Sequence, residues 1–115
     1  MLNLDELDAF QVLYLTAMGR ITGQPRTIEI WFVGYQRALY VLAEHYHQAQ
    51  WVKNINMNPL VNVRIGSHGL HASARLLDPA ADSDSWLAVR ELSKKKYGWD
   101  DGLPVQLTPL GTSDQ

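Results

Sequence analysis

Residues 14–33, YLTAMGRITGQPRTIEIWFV, constrain the fold more than any other stretch of the chain. In the run 26–33, Ile28, Ile30 and Phe32 alternate with Thr27, Glu29 and Trp31. That period of two marks a strand with one face buried. Residues 12–17 read as a second strand. Between the two lies a turn, residues 19–26, holding Gly19, Gly23, Pro25 and two arginines. Glycine lets backbone N–H groups approach an anion closely, and arginine neutralises it. The turn is therefore built like a small phosphate cradle at the lip of a β-sheet. A solvated hairpin with two exposed arginines is the plainer reading of the same residues.

The remaining segments extend this pattern. Residues 4–10 read as a short helix or leading turn. Residues 34–37 make a hairpin turn, and ALYVLA, residues 38–43, is apolar throughout and so reads as a central strand. The period then changes. Over residues 48–57, Trp51 and Ile55 share a face with Val52 beside them, which predicts an amphipathic helix. Asn58-Pro59 stops it, because the residue before proline is pushed out of α geometry. Residues 60–65 alternate again, 66–69 form a hairpin turn and 70–77 a partner strand. Asp78 followed by Pro79 reads as a helix start. Trp86, Val89 and Leu92 would form that helix's buried stripe, Lys94, Lys95 and Lys96 its last turn, and Gly98 its C-cap. Residues 104–107 make a final short strand.

This order predicts one domain over residues 1–115, mainly β with flanking helices (α+β). About six antiparallel strands would curl into a compact or half-open barrel, with 1–11 as a leading segment and 111–115 as a frayed tail. Twisted sheets of this kind leave a groove that a second subunit can close, so a homodimer is expected.

Composition narrows the function classes. With 115 residues and a net charge of −2, the chain has no global field for nucleic acid or an anionic membrane. It contains no cysteine, which excludes disulfides and thiolate metal sites and fits a cytoplasmic setting. No apolar run approaches the roughly 18 residues of a membrane span. The acidic start MLNLDELDAF lacks the plan of a signal peptide.

Three blocks carry a resemblance. Leu15-Thr16-Ala17-Met18-Gly19-Arg20-Ile21-Thr22-Gly23-Gln24-Pro25-Arg26 resembles the Leu-Thr-x-x-Gly-Arg-x-Ser/Thr-Gly-x-Pro-Arg signature of the deazaflavin-dependent nitroreductase family. The strand 39–43, then Trp51, Asn54, Asn58-Pro59 and Val61 with Val63, is similar to that family's strand, loop and helix–strand segment. Ala74-Arg75-Leu76-Leu77-Asp78 matches the strand before the last helix.

The resemblance implies a split β-barrel related to the pyridoxamine 5'-phosphate oxidase-like flavin-binding proteins. It also implies coenzyme F-420 (8-hydroxy-5-deazaflavin) as cofactor. The expected reaction is hydride transfer to a small conjugated acceptor: a quinone, an enone or a nitroaromatic. Carried over, Arg20 and Arg26 hold the coenzyme's phosphate, helped by Thr22 and the backbone of Gly23 and Gln24. Glu29 and Trp31 line the ring, and Ala43, Glu44, His45 and Ala49 belong to the loop passing its edge. Tyr97 is a candidate substrate-side hydroxyl; no catalytic triad and no metal are expected. FMN on the same fold is the alternative cofactor. A non-enzymatic binder of haem, a tetrapyrrole or a fatty acid is the alternative function.

Two departures from the family pattern stand out. Ile21 occupies a position where many members carry Lys or Arg, and the usually glycine-rich loop here reads EHYHQAQ over 44–50. In a strand, His45 and His47 would share one side. His68 and His71 flank a later turn. All four read first as polar surface histidines, with a ring-contacting or haem-ligating role as the alternative for His45 and His47. Lys94 to Lys96 read as a solvated helix end, and Trp51 and Trp86 as core anchors.

Overall fold

A computed structural model of the protein describes residues 4–112. A short helix α1 (Leu4–Leu7) precedes β1 (Val12–Met18) and β2 (Pro25–Trp31). Next come β3 (Val33–Tyr35), β4 (Ala38–Ala43), α2 (Gln50–Met57), β5 (Leu60–Ile65), β6 (His68–Leu76), α3 (Ser83–Tyr97) and β7 (Leu103–Thr112). Every strand pairing is antiparallel, in the order β2-β1-β5-β6-β7-β4-β3. Both edges of the sheet thus belong to one chain segment, interrupted only at Phe32. The sheet curls until those edges nearly meet, which gives a split barrel with one opening.

Among the described residues seven strands stand where the alternation predicts about six, because the second run breaks at Phe32. The Phe32 backbone leaves the ladder. Its N–H donates to the Tyr97 hydroxyl (3.1 Å), and its carbonyl accepts from that hydroxyl (2.8 Å) and from the Lys96 ammonium (3.1 Å). The phenyl ring is buried, with the ammonium 4.1 Å from its centroid. Lys96 also pairs with Asp8 at 3.2 Å. It is therefore no solvated helix end but a strap between α3 and the break.

The hairpin turn is shorter than expected. Gly34 and Tyr35 remain in β3, and Gln36 and Arg37 make the turn with φ of 46° and 67°. Positive φ at both central residues matches the twist of the flanking strands, at some strain for non-glycine side chains. The strand ALYVLA is buried throughout, yet β4 lies next to the sheet edge and not at its centre. Its burial has another cause. Leu39 and Val41 face the barrel interior, while Ala38, Tyr40 and Leu42 pack toward the cluster that includes Val89 of α3. Leu7 of α1 joins the interior cluster.

α3 starts later than Asp78-Pro79 suggests. The Asp78 carboxylate accepts from the N–H groups of Ala80 (3.0 Å) and Ala81 (2.7 Å), which caps a turn and not the helix. Asp82 stands at the N-cap, but its carboxylate is taken by Arg75 and by the Asp78 N–H. Gly98 ends the helix in the left-handed region, as read from the sequence. Gly111 and Thr112, expected in a frayed tail, instead pair with His71 and Leu70; the rest of that expected tail, 113–115, falls outside the described residues. Among the described residues no helix is long and apolar enough to cross a membrane.

The Arg75–Asp82 pair makes one pH prediction. Hydrogen bonding from Arg75, then from the Asp78 backbone, holds the Asp82 carboxyl below its ordinary 3.8. A depressed carboxylate stabilises the fold fully above that ordinary value and loses its effect as pH falls through the lowered one. The Tm gap between wild type and Asp82→Asn, present at neutral pH, should close in thermal melts below pH 3.8. A constant gap would deny the charge any role.

Candidate functional site

The opening of the barrel is a groove of about 580 Å³ between β2 and the end of β4. Ile28 and Ile30 line one wall from the inner side of β2, with Glu29 and Trp31 at its rim. Leu42, Glu44, His45 and Ala49 line the other. Trp51 of α2 and Trp99 complete an aromatic trio with Trp31. Such a slot, apolar with a few polar groups at its edge, suits a flat conjugated ligand.

Trp31 is held in an ordered stack. Its ring lies 4.4 Å from Tyr97 at 3°, and Trp99 meets it edge-on at 6.3 Å. Even so, Trp31 is 45% exposed, so its surface remains available to a ligand.

The turn between β1 and β2 sits beside the groove. Its backbone is self-satisfied: Gly19 N–H donates to Gln24 C=O (2.8 Å) and Gly23 N–H to Gly19 C=O (2.9 Å). Gln24 N–H donates to the Thr22 hydroxyl at 3.2 Å, and Gly23 takes φ of 73°, which glycine adopts freely. The N–H groups of Gly23 and Gln24 are therefore committed within the turn, contrary to the expectation that they face an anion. Thr22 still has its own hydroxyl proton to donate.

Arg20 is anchored to α2. Its N–H and its Nη1 both donate to Asn54 Oδ1 (3.1 and 2.9 Å), and its Nη2 to Gln50 Oε1 (2.9 Å). A guanidinium has five N–H donors, so three remain after these bonds, on a side chain already fixed in place. The Arg26 side chain makes no hydrogen bond or ion pair among the described residues and is exposed. Asn54, buried on α2, thus joins the turn to the helix whose Trp51 walls the groove. Asn54→Ala is expected to destabilise the protein by about 1–2 kcal/mol and to loosen the turn. Chemical denaturation would measure it, and an unchanged midpoint would refute the anchoring role.

The structure brings Glu29, Trp31, Glu44, His45 and Ala49 together in the groove. Arg20, Thr22, Gly23, Gln24 and Arg26 form the adjoining turn. Ala43 does not line the groove; it is fully buried and pairs with Leu103. Tyr97 is corrected more strongly: its hydroxyl is taken by Phe32 N–H and C=O and by the Gln11 carbonyl (2.7 Å), so it is not offered to a substrate. His45 and His47 do not share a strand face, because Tyr46–Gln48 form a 3₁₀ turn. Trp51 is more than a core anchor, since it also walls the groove. Trp99 and Val12 were invisible as wall residues, because no local pattern says what faces an opening.

The loop replacing the family's glycines does not fill the groove. Tyr46 adopts φ of 53° and sends its hydroxyl to Asp101 (2.7 Å), which pushes its pKa above 10.0 mainly through that hydrogen bond. Gln50 is turned to Arg20. Only Glu44, His45 and Ala49 of the loop reach the walls. No group of three or more metal-ligating side chains occurs among the described residues.

The model of the F-420H(2)-dependent quinone reductase family matches residues 4–106. A search of curated proteins finds no match. Among solved structures, the heme storage protein HutZ from Vibrio cholerae is similar at 19% identity, over 94% of this chain and 91% of that one, with a TM-score of 0.73. A pyridoxamine 5'-phosphate oxidase candidate from Listeria innocua shares 21% identity over 95% and 91%, with a TM-score of 0.70. An F-420-H2 dependent reductase (FDR-A) shares 21% over 84% and 92%, with a TM-score of 0.64. At these identities the structures establish a shared split-barrel fold, and function is argued from the site. With nearly its whole length matched by the family model, the chain belongs to the F-420H(2)-dependent quinone reductase family.

Proposed function

We propose that this protein binds coenzyme F-420 in the barrel opening and reduces a quinone with it. The observation that carries the reading is the pairing of an aromatic-walled groove with an arginine turn fixed beside it through Asn54 and Gln50. The residues fit the group. The groove is walled by three tryptophans and aliphatic side chains with polar groups at its edge, the two guanidinium groups suit a phosphate, and the bulky loop leaves the groove open.

When bound, the deazaflavin supplies the hydride. The chain's residues supply the rest. Arg20 and Arg26 hold the phosphate, with the Thr22 hydroxyl as a further donor. Trp31, Trp51 and Trp99 order flat rings and exclude water. Hydride reduction of a carbonyl also needs a proton at its oxygen, and Glu29, Glu44 and His45 are the groove side chains able to hold one. Enones and nitroaromatics present similar conjugated acceptors and belong to the same reading.

The protein would act as a homodimer. Met18, Leu60 and Leu110 are exposed around a second cavity of about 450 Å³ on the outer side of the sheet, where a second copy would cover them. Sedimentation should give the dimer mass, and a monomer mass would remove this part.

The central test titrates the protein with oxidised F-420 and separately with FMN, then follows F-420H2 oxidation with menadione as acceptor. Tight F-420 binding and acceptor-dependent oxidation are expected. Binding of FMN alone would transfer the reading to a flavin enzyme. Binding of neither, with haem or a fatty acid taken up instead, would make the protein a carrier.

A further inference from the structure

The geometry points to Tyr97 as the positioning residue that sets the groove wall carrying Trp31, a role that rests on the groove being the ligand site proposed above. Three observations converge on one side chain. The Tyr97 ring stacks on Trp31 at 4.4 Å and 3°, the near-parallel arrangement that fixes an indole plane. Its hydroxyl donates to and accepts from the Phe32 backbone, one residue beyond Trp31. The same hydroxyl also reaches the Gln11 carbonyl, one residue before Val12, another wall residue.

Tyr97 therefore grips the two chain segments that enter the groove wall, at the point where the barrel strand breaks. Phe32 pairs with neither β1 nor β4, so the ladder that pairs Trp31 with Val12 ends there and nothing in the sheet holds the chain at Phe32. The last turn of α3 replaces the ladder there, with Tyr97 as the contact to Trp31 and Lys96 as a second hold on the Phe32 carbonyl. A flat ligand meets Trp31 in the plane that Tyr97 has set before it arrives, and such preorganisation is expressed as affinity.

The test compares Tyr97→Phe, which keeps the ring and removes the hydroxyl, with Tyr97→Leu, which removes both. Leu70→Ala, a buried substitution in β6 that does not line the groove, controls for general loss of stability. Two readouts are taken: near-UV circular dichroism of the ligand-free protein, which reports fixed aromatic packing, and affinity for F-420. Tyr97→Leu is expected to lose the indole fine structure and about a hundredfold in affinity, and Tyr97→Phe to keep the spectrum and lose about tenfold. Leu70→Ala should lower Tm while keeping both readouts. Affinity of Tyr97→Leu within about twofold of wild type, or an equal loss in Leu70→Ala, would overturn the proposal. Should the wild type bind neither F-420 nor FMN, the functional reading fails separately. The spectrum then decides for Tyr97 alone, and unchanged fine structure in Tyr97→Leu overturns the proposal.

Discussion

Replacing Arg20 and Arg26 together by alanine is expected to weaken F-420 binding by about a hundredfold or more. A hydrogen bond to a charged group contributes about 1.5–3 kcal/mol, and two guanidinium groups on one phosphate would both be lost. The structure makes this a clean experiment. The Asn54 carbonyl oxygen also accepts the backbone N–H of residue 20, which alanine retains. The turn should therefore stay docked on α2 while its charge disappears, and Tm should fall only by what the two lost guanidinium bonds to Asn54 and Gln50 contribute. Fluorescence titration measures the affinity, and raised salt should weaken the wild type but leave the double variant nearly unaffected. An unchanged affinity in the double variant would dispose of the phosphate cradle.

Gly102→Ala is expected to destabilise the protein by about 1–3 kcal/mol, the usual range for overpacking. A Cβ at this position would lie 2.9 Å from Leu42 Cβ and 3.1 Å from the Ala43 carbonyl. Neither atom can retreat, because Leu42 and Ala43 are paired with Pro104 and Leu103 in the β4–β7 ladder. The Trp99 ring, at 3.0 Å, is the part that can move. Leu42 and Trp99 both line the groove, so the variant should bind F-420 less well as well as melt lower. For a domain near 100 residues each kcal/mol shifts Tm by about 4–8 °C, well within the reach of scanning calorimetry. Gly111→Ala, in the strand that begins just after Gly102, is the control, because nothing lies within 4 Å of its added Cβ. Equal melting of the two variants would refute the steric account.

Much of the fold was legible because local patterns have local causes. β5 runs from Leu60 to Ile65 as its alternation indicates, and Gly98 closes α3 because a left-handed cap favours glycine. Asp78 shows where such reading fails. An aspartate before proline caps either a helix or a turn, and here Arg75 claims the next carboxylate and the helix waits until Ser83. Likewise ALYVLA told of burial but not of position, since a strand covered on both faces looks the same at the centre of a sheet as beside its edge.

The sequence by itself determined most strands and helices, the arginine turn and a family resemblance that implied Glu29, Trp31, Ala43, Glu44, His45 and Ala49 around one ligand, of which all but Ala43 line the groove. Those signals rest on side-chain period and backbone sterics, which act over a few residues. The tertiary structure decided what lies across from what. It broke the barrel strand at Phe32, fixed Arg20 to a residue 34 positions away and gave the Tyr97 hydroxyl to a backbone 65 positions away. Hydrogen-bond partners over such separations depend on how the sheet closes, and closure is a property of all seven strands together.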